Sequence, residues 1–248
     1  MSRSEAPRRL LEVAANSLAS ALAAQAGGAG RIELCTALEL GGLTPSHGEI
    51  SLVRERVQLP LYVLIRPRAG DFLYDDDELD TMRRDIEACV ALGCDGVVIG
   101  ALDAGGDVDT ARCRTLIGAA AGMGITFHRA FDLVRDQARS LEDVIALGAE
   151  RVLTSGARRT AREGARRIQV LMEQARGRIV VMPGAGIDAG NIAELAMLTG
   201  AQEFHASAKR VHDSGMHYAP SDTLGMAGGE TRTDENEVRA LVQQLAVA

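Results

Sequence analysis

The sequence predicts a single-domain α/β chain folded as a TIM-type (β/α)8 barrel. Three observations predict it: eight short apolar runs that alternate with longer amphipathic stretches, a glycine pattern repeated between them, and 248 residues without a dividing linker. The runs read as strands at 10–15, 31–35, 61–66, 96–100, 125–128, 151–154, 178–182 and 203–206. Helical periodicity covers 17–26, 48–57, 76–91, 109–120, 140–146, 162–176 and 188–198, and a last helix at 234–246 closes the chain. Residues 1–9 read as a tail and 210–236 as an extended loop.

The repeat is carried by Gly28-Ala29-Gly30-Arg31-Ile32, Gly93-Cys94-Asp95-Gly96-Val97, Gly148-Ala149-Glu150-Arg151-Val152 and Gly200-Ala201-Gln202-Glu203-Phe204. In each, a glycine ends a helix, a small residue follows, and the next strand begins two positions later. A helix C-terminus often needs a left-handed residue, which glycine supplies without steric cost. The runner-up fold, a doubly wound open sheet, would want a G-x-G-x-x-G turn after the first strand or a Walker loop, and neither is present.

Composition narrows the partners. Hydrophobic residues make up 46% and aromatics only 3%, so the core is aliphatic. A formal charge of −7 runs against a nucleic-acid partner, which would want Lys and Arg gathered on one face. The basic set Arg158, Arg159, Arg162, Arg166 and Arg167 is spaced as the solvent side of one helix. The four cysteines, Cys35, Cys89, Cys94 and Cys113, form no C-x-x-C pair and indicate a reducing compartment. Glu12, Asn16 and Gln25 interrupt the alanine-rich N-terminal run, and no stretch reaches the about 18 consecutive apolar residues of a membrane span. A cytoplasmic protein without a membrane partner is the expectation.

Parallel strands covered on both faces usually read as unbroken Val/Ile/Leu runs. Here one face of several strands is polar: Glu12 on the first, Glu33 and Cys35 on the second, Arg66 and Arg68 on the third, Thr126 and His128 on the fifth, and Glu203, His205 and Ser207 on the eighth. If the apolar face meets the helices, these side chains point into the barrel, where unpaired charge is costly. Glu12, Glu33 and Glu203 set against Arg66, His128 and His205 make a charge-balanced candidate site near the C-terminal strand ends, with Asp132 beside His128 as a further acid–base candidate. For anion binding the candidates are Arg66 and Arg68 in one loop, Gly184 and Gly186 in another, and Ser207. Lys209 is the only lysine and lies just past the last strand, which speaks against a Schiff-base mechanism.

Six segments occur in an order that resembles the CutC family of copper homeostasis proteins: Arg31-Ile32-Glu33-Leu34-Cys35, Gly41-Gly42-Leu43-Thr44-Pro45-Ser46, Ile65-Arg66-Pro67-Arg68-Ala69-Gly70-Asp71-Phe72, Phe127-His128-Arg129-Ala130-Phe131-Asp132, Leu153-Thr154-Ser155-Gly156 and Glu203-Phe204-His205. The resemblance spans Leu10 to Lys209. It implies a β/α barrel, a cytoplasmic homodimer, and copper as the metal, with Cys35 matching a cysteine implicated in Cu(I) binding. The family's further cysteine on the first strand corresponds to Ala14 here. Cu(I) favours soft thiolates, usually at least two. The residues also leave open a barrel enzyme that acts on a small anionic, phosphate- or carboxylate-bearing substrate by acid–base or metal-assisted chemistry, and a structural or regulatory barrel without turnover.

Overall fold

Eight short strands pair in parallel in this chain: β1 (Leu10–Ala15), β2 (Arg31–Leu34), β3 (Leu61–Leu64), β4 (Gly96–Ile99), β5 (Gly124–Phe127), β6 (Arg151–Thr154), β7 (Val180–Pro183) and β8 (Glu203–Ala206). The computed structural model describes residues 9–218 and 228–248. The strand order is β7-β6-β5-β4-β3-β2-β1-β8, and a parallel bridge between Gly184 and His205 brings the two ends of the sheet together. Around it stand α1 (Leu18–Gly27), α2 (His47–Arg56), α3 (Asp76–Ala91), α4 (Thr110–Ala119), α5 (Gln137–Ala146), α6 (Ala165–Ala175), α7 (Ile192–Thr199) and α8 (Glu235–Val247). The (β/α)8 barrel read from the sequence is the fold observed.

Alternation along the strands divides the core into two. Val13, Ile32, Val63, Val97, Ile125, Val152, Val181 and Phe204 are buried on the outer face, in one cluster with helix residues such as Ile50, Met82, Ile86 and Leu116. Ala14, Cys35, Tyr62, Leu64 and Val98 form a separate, smaller cluster inside the ring. Side-chain caps at Ser17, Ser46, Asp75, Asp109, Asp136 and Asp234 start six of the helices by accepting backbone N–H groups. The four repeat glycines, Gly28, Gly93, Gly148 and Gly200, all have positive φ, as the loop pattern requires.

Several boundaries differ from expectation, each for a local reason. β3 ends at Leu64, and the Arg66-Pro67 step leaves the sheet because proline has no N–H for the ladder. Arg66 and Arg68 therefore belong to a loop. The cap at Asp136 starts α5 three residues before the expected 140. α6 begins only at Ala165, so Arg158, Arg159 and Arg162 lie in the preceding loop, although all five arginines of that run are exposed. The stretch expected as a loop over 210–236 contains part of an antiparallel pair, β9 (Lys209–His212) with β10 (Glu230–Thr233). Ser20 Oγ accepts the Thr233 N–H at 3.0 Å, which ties β10 to α1. Residues 1–8 of the expected tail and 219–227 of the expected loop lie outside the described residues. Among the described residues no helix is long and apolar enough to cross a membrane.

One aromatic ring fills much of the lower barrel, and two glycines make room for it. A Cβ on Gly96 would stand 2.1 Å from the Tyr62 ring, and one on Gly124 would stand 2.1 Å from its hydroxyl. Gly96→Ala is expected to push the ring from its place and lower stability by about 1–3 kcal/mol, the usual cost of overpacking. Urea denaturation of the two proteins measures the difference.

Candidate functional site

Strand register brings the charges together. Glu12 on β1 stands opposite Arg31 on β2 and opposite His205 on β8. The Glu12 carboxylate is fully buried, accepts a hydrogen bond from Arg31 Nε through Oε2, and lies 2.8 Å from His205 Nδ1 through Oε1. Arg31 Nη2 then reaches Glu203 at 2.5 Å and the Met182 sulfur at 3.4 Å. Arg151 approaches the same Glu203 carboxylate at 3.3 Å and pairs with Glu150 at 3.0 Å. Both guanidinium groups lie over the Tyr62 ring, 5.5 and 4.8 Å from its centroid, and Tyr62 Oη donates to Glu150 at 2.8 Å. The result is a continuous polar ladder through the barrel, with Glu33 and His205 at its upper end.

The upper end is where protonation is balanced near neutrality. Burial alone would raise the Glu12 carboxyl, but the His205 hydrogen bond and the Arg31 charge outweigh it and hold it down at about 2. Glu33 lacks such an arginine partner. Its burial, with Glu12 close by, lifts its carboxyl to about 7 against the attraction of His205. His205 loses by burial but gains more from Glu33 and Glu12, so its imidazolium persists above the ordinary value. His205 Nε2 lies 3.6 Å from Glu33 Oε2, beyond a direct hydrogen bond, so a carboxyl and an imidazole face each other as an ion pair at the floor of a cavity.

That cavity opens at the C-terminal ends of the strands and has a volume of about 790 Å³. Glu33, Cys35 and His205 contribute to its floor, with Gly186, Ser207 and Lys209 among its other lining residues. The structure brings Glu12, Glu33, Glu203 and His205 into one network and leaves the other expected acid–base residues out of it. Arg66 spends its guanidinium on the carbonyls of Leu40, Gly42 and Gly70, each at 2.9 Å, and lies over Phe72. It ties two loops together at the cavity wall and does not balance the buried glutamates.

His128 lines the cavity but accepts the Ala130 N–H through Nδ1 at 3.2 Å and packs against Phe72. Burial and the Arg66 charge push it down to about 3, so it is a neutral ring and a weak base at neutral pH. Asp132 is saturated: Thr154 Oγ1 at 2.5 Å, Ser155 Oγ at 2.9 Å, the Ser155 and Ala157 N–H groups at 3.0 Å, and Arg129 all donate to it. Its work is to hold the loop after β6.

The anion-binding candidates also separate. Arg68 lies away from the cavity, paired with Glu78, donating to the Leu73 carbonyl at 2.7 Å and stacked over Tyr74. Gly184 is used in the bridge to His205, whereas Gly186 and Ser207 line the cavity. Asp188 accepts the Gly190 N–H, and α7 starts one turn later with Asn191 at its N-cap.

Cys35 sits in the cavity floor with 1% of its surface exposed. Burial, then the nearby Glu33 and Glu49 charges, raise its thiol well above the ordinary range. Its inner-cluster neighbours are Ala14, Tyr62, Leu64, Val98 and Leu38, none of which supplies a second sulfur. That environment does not fit a two-thiolate Cu(I) centre. Among the described residues the donor set close enough to hold one ion is Glu12, Glu33 and His205, whose ligand atoms lie within 4.8 Å of one another.

Arg31, Arg151 and Tyr62 were not in the expected set. The signal for two of them was present: Arg31 is two residues before Glu33 and faces the same way, and Tyr62 is likewise two before Leu64.

Comparison with known proteins gives a consistent neighbourhood. The CutC family model matches residues 9–210. A CutC family protein of Xylella fastidiosa is 58% identical over 236 residues, 95% of this chain and 88% of its own length. One from Chromobacterium violaceum is 50% identical over 242 residues, 96% of this chain and 98% of its own. The structure of a CutC protein from Streptococcus agalactiae, which carries a copper homeostasis name, superposes with a TM-score of 0.77 at 34% identity, covering 80% of this chain and 98% of that one. Phosphoribosylanthranilate isomerase of Pyrococcus furiosus, at 14% identity and a TM-score of 0.60, covers 97% of this chain and 100% of its own and shares the fold.

The raised Glu33 carboxyl favours the folded state when protonated, so its contribution is full below about pH 4.5 and is lost as pH rises through about 7; the raised His205 imidazole acts in the same direction. Wild-type stability is expected to fall by about 2–3 kcal/mol between about pH 5 and pH 8 from Glu33. The urea midpoint of Glu33→Gln is expected to be much flatter over that range.

Proposed function

We propose that this chain, which belongs to the CutC family, serves copper homeostasis through the cavity at the C-terminal end of its barrel. The observation that carries the reading is the orientation of His205. Glu12 engages Nδ1, so Nε2 is the free nitrogen and faces Glu33. A carboxylate that fixes one imidazole nitrogen while the other ligates is the usual supporting arrangement of a metal-bound histidine. Glu33 and His205 Nε2 would hold the ion, and Glu12 would orient the ring.

Oxygen and imidazole donors suit divalent ions, among which Cu(II) ranks highest by the Irving–Williams order. The reading thus moves copper from Cys35 to the carboxylate–histidine pair. The cytoplasmic location and the homodimer implied by the family belong to this reading too.

The same pair favours a second reading, in which Glu33 and His205 exchange a proton with a small anionic ligand. A carboxyl held at about 7 is suited to that work. Gly186, Ser207 and Lys209 would then meet the anion, since Arg66 and Arg68 are committed elsewhere.

Both readings are tested by thermal shift. Added Cu(II) is expected to raise Tm at about pH 7.5 and to do so less at about pH 5.5, where the ligands keep their protons. The shift should vanish in His205→Ala and Glu33→Gln. An equal rise in those variants, or no rise in wild type, contradicts the metal reading. In a parallel panel of organic acids and sugar phosphates, stabilisation that is lost in Glu33→Gln supports the second reading, and silence across the panel removes it.

A further inference from the structure

We infer that His128 and Arg66 form a carboxylate subsite in the cavity wall, and that the small anionic ligand of the second reading carries this carboxylate on an apolar body. The inference rests on that reading and narrows it. It starts from two buried donors that lack an acceptor. The Ala130 N–H can only donate, so the His128 Nδ1 that accepts it carries a lone pair, and the neutral ring keeps its proton on Nε2. That Nε2–H has no partner among the described residues, and His128 is only 4% exposed.

Arg66 repeats the pattern. Its Nη1 and Nη2 bonds to the Leu40, Gly42 and Gly70 carbonyls fix its place, but carbonyls do not neutralise its charge. Among the described residues no carboxylate pairs with this 7% exposed arginine, and its Nε–H also lacks a partner. A buried donor without an acceptor and a buried cation without an anion are both costly, and a ligand that brings both answers that cost. The two residues line the same cavity and pack on one ring: Phe72 lies 4.8 Å from the imidazole, centroid to centroid, and its centroid is 5.0 Å from Arg66 Cζ. Neither nitrogen meets solvent, so the ligand reaches them as the Phe72 ring turns aside.

Two single N–H donors and one positive charge match a carboxylate, which has two oxygens and one negative charge to offer. A phosphate asks for more donors, and in barrels these are backbone N–H groups of the loops after the seventh and eighth strands. By strand order those loops, with Gly186, Ser207 and Lys209, lie across the mouth from the loops after β3 and β5 that carry Arg66 and His128. The wall built by β2, β3, β5 and their following loops is otherwise apolar in large part: Leu38, Leu40, Leu64, Phe72 and Leu133 all line the cavity. Leu40 and Leu133 are 50% and 61% exposed, surface that an aliphatic or aromatic body would cover and a sugar would not.

The test titrates the full chain with benzoate at about pH 7 and follows the nitrogen signals of labelled histidine by NMR. Benzoate should shift the His128 Nε2–H signal. Benzyl alcohol, which has the same body without the charge, and inorganic phosphate should leave it in place at equal concentration. His128→Asn keeps an acceptor for the Ala130 N–H but has no atom at the Nε2 position. Its benzoate affinity should fall about 10-fold or more, the worth of one hydrogen bond to a charged group. His128→Gln sets an amide N–H near the Nε2 position and should recover most of that loss, which a merely structural role for the ring would not produce. Benzoate binding that is equal in wild type and His128→Asn but lost in Glu33→Gln overturns the subsite and leaves the anionic-ligand reading standing, as does a response to phosphate alone. No response to benzoate in wild type overturns the subsite, and silence across organic acids and sugar phosphates as well removes both.

Discussion

A carboxylate with no access to water sits at the centre of this barrel, and its needs organise the residues around it. Moving the Glu12 charge out of water costs several kcal/mol unless it is paired and hydrogen-bonded. Arg31 and His205 supply that pairing because register places them opposite Glu12 on the two flanking strands. Arg31 in turn needs acceptors beyond Glu12 and finds Glu203. Glu203 draws in Arg151, and both arginines spread over Tyr62. The bare backbone of Gly96 and Gly124 is the space that this ring occupies. A single buried charge thus organises side chains on five of the eight strands.

The same accounting separates residues that hold the structure from those free to meet a ligand. Arg66, Arg68 and Asp132 bond to backbone groups of the loops, so their position near the strand ends is architectural. His128 is neutral and bound at one nitrogen. Glu33 is different: it has burial without a bonded arginine, it lines the cavity, and His205 Nε2 stands 3.6 Å away. The residual chemistry of the site is concentrated in that pair.

Much of this was legible from residue order. Alternation predicted the strands, the glycine pattern predicted the left-handed helix endings, and the period-2 polar face predicted that Glu12, Glu33, Glu203 and His205 would meet inside the ring. What failed was partner assignment. Arg66 was read as their counter-charge because it lies at the end of an apolar run, but Pro67 takes the chain out of the sheet there. The true counter-charges, Arg31 and Arg151, are the first residues of their strands, at the end of the barrel opposite the C-terminal strand ends where the site is expected. Likewise 210–236 lacks apolar periodicity, and its strand β10 is held by a contact to Ser20 more than 200 positions away, which no local pattern encodes. Cys35 is on the inward face of the second strand, but whether a thiol has a second sulfur beside it depends on the neighbouring strand, and there Ala14 stands.

The most direct measurement is a pH titration of the His205 ring by NMR, with nitrogen-labelled histidine, in wild type and in Glu33→Gln. The buried-charge account predicts an imidazolium that persists above the free histidine value of about 6.5 in wild type, and that loses its proton at lower pH once the Glu33 charge is gone. A wild-type ring that titrates at or below the free value, unchanged by the substitution, would contradict it.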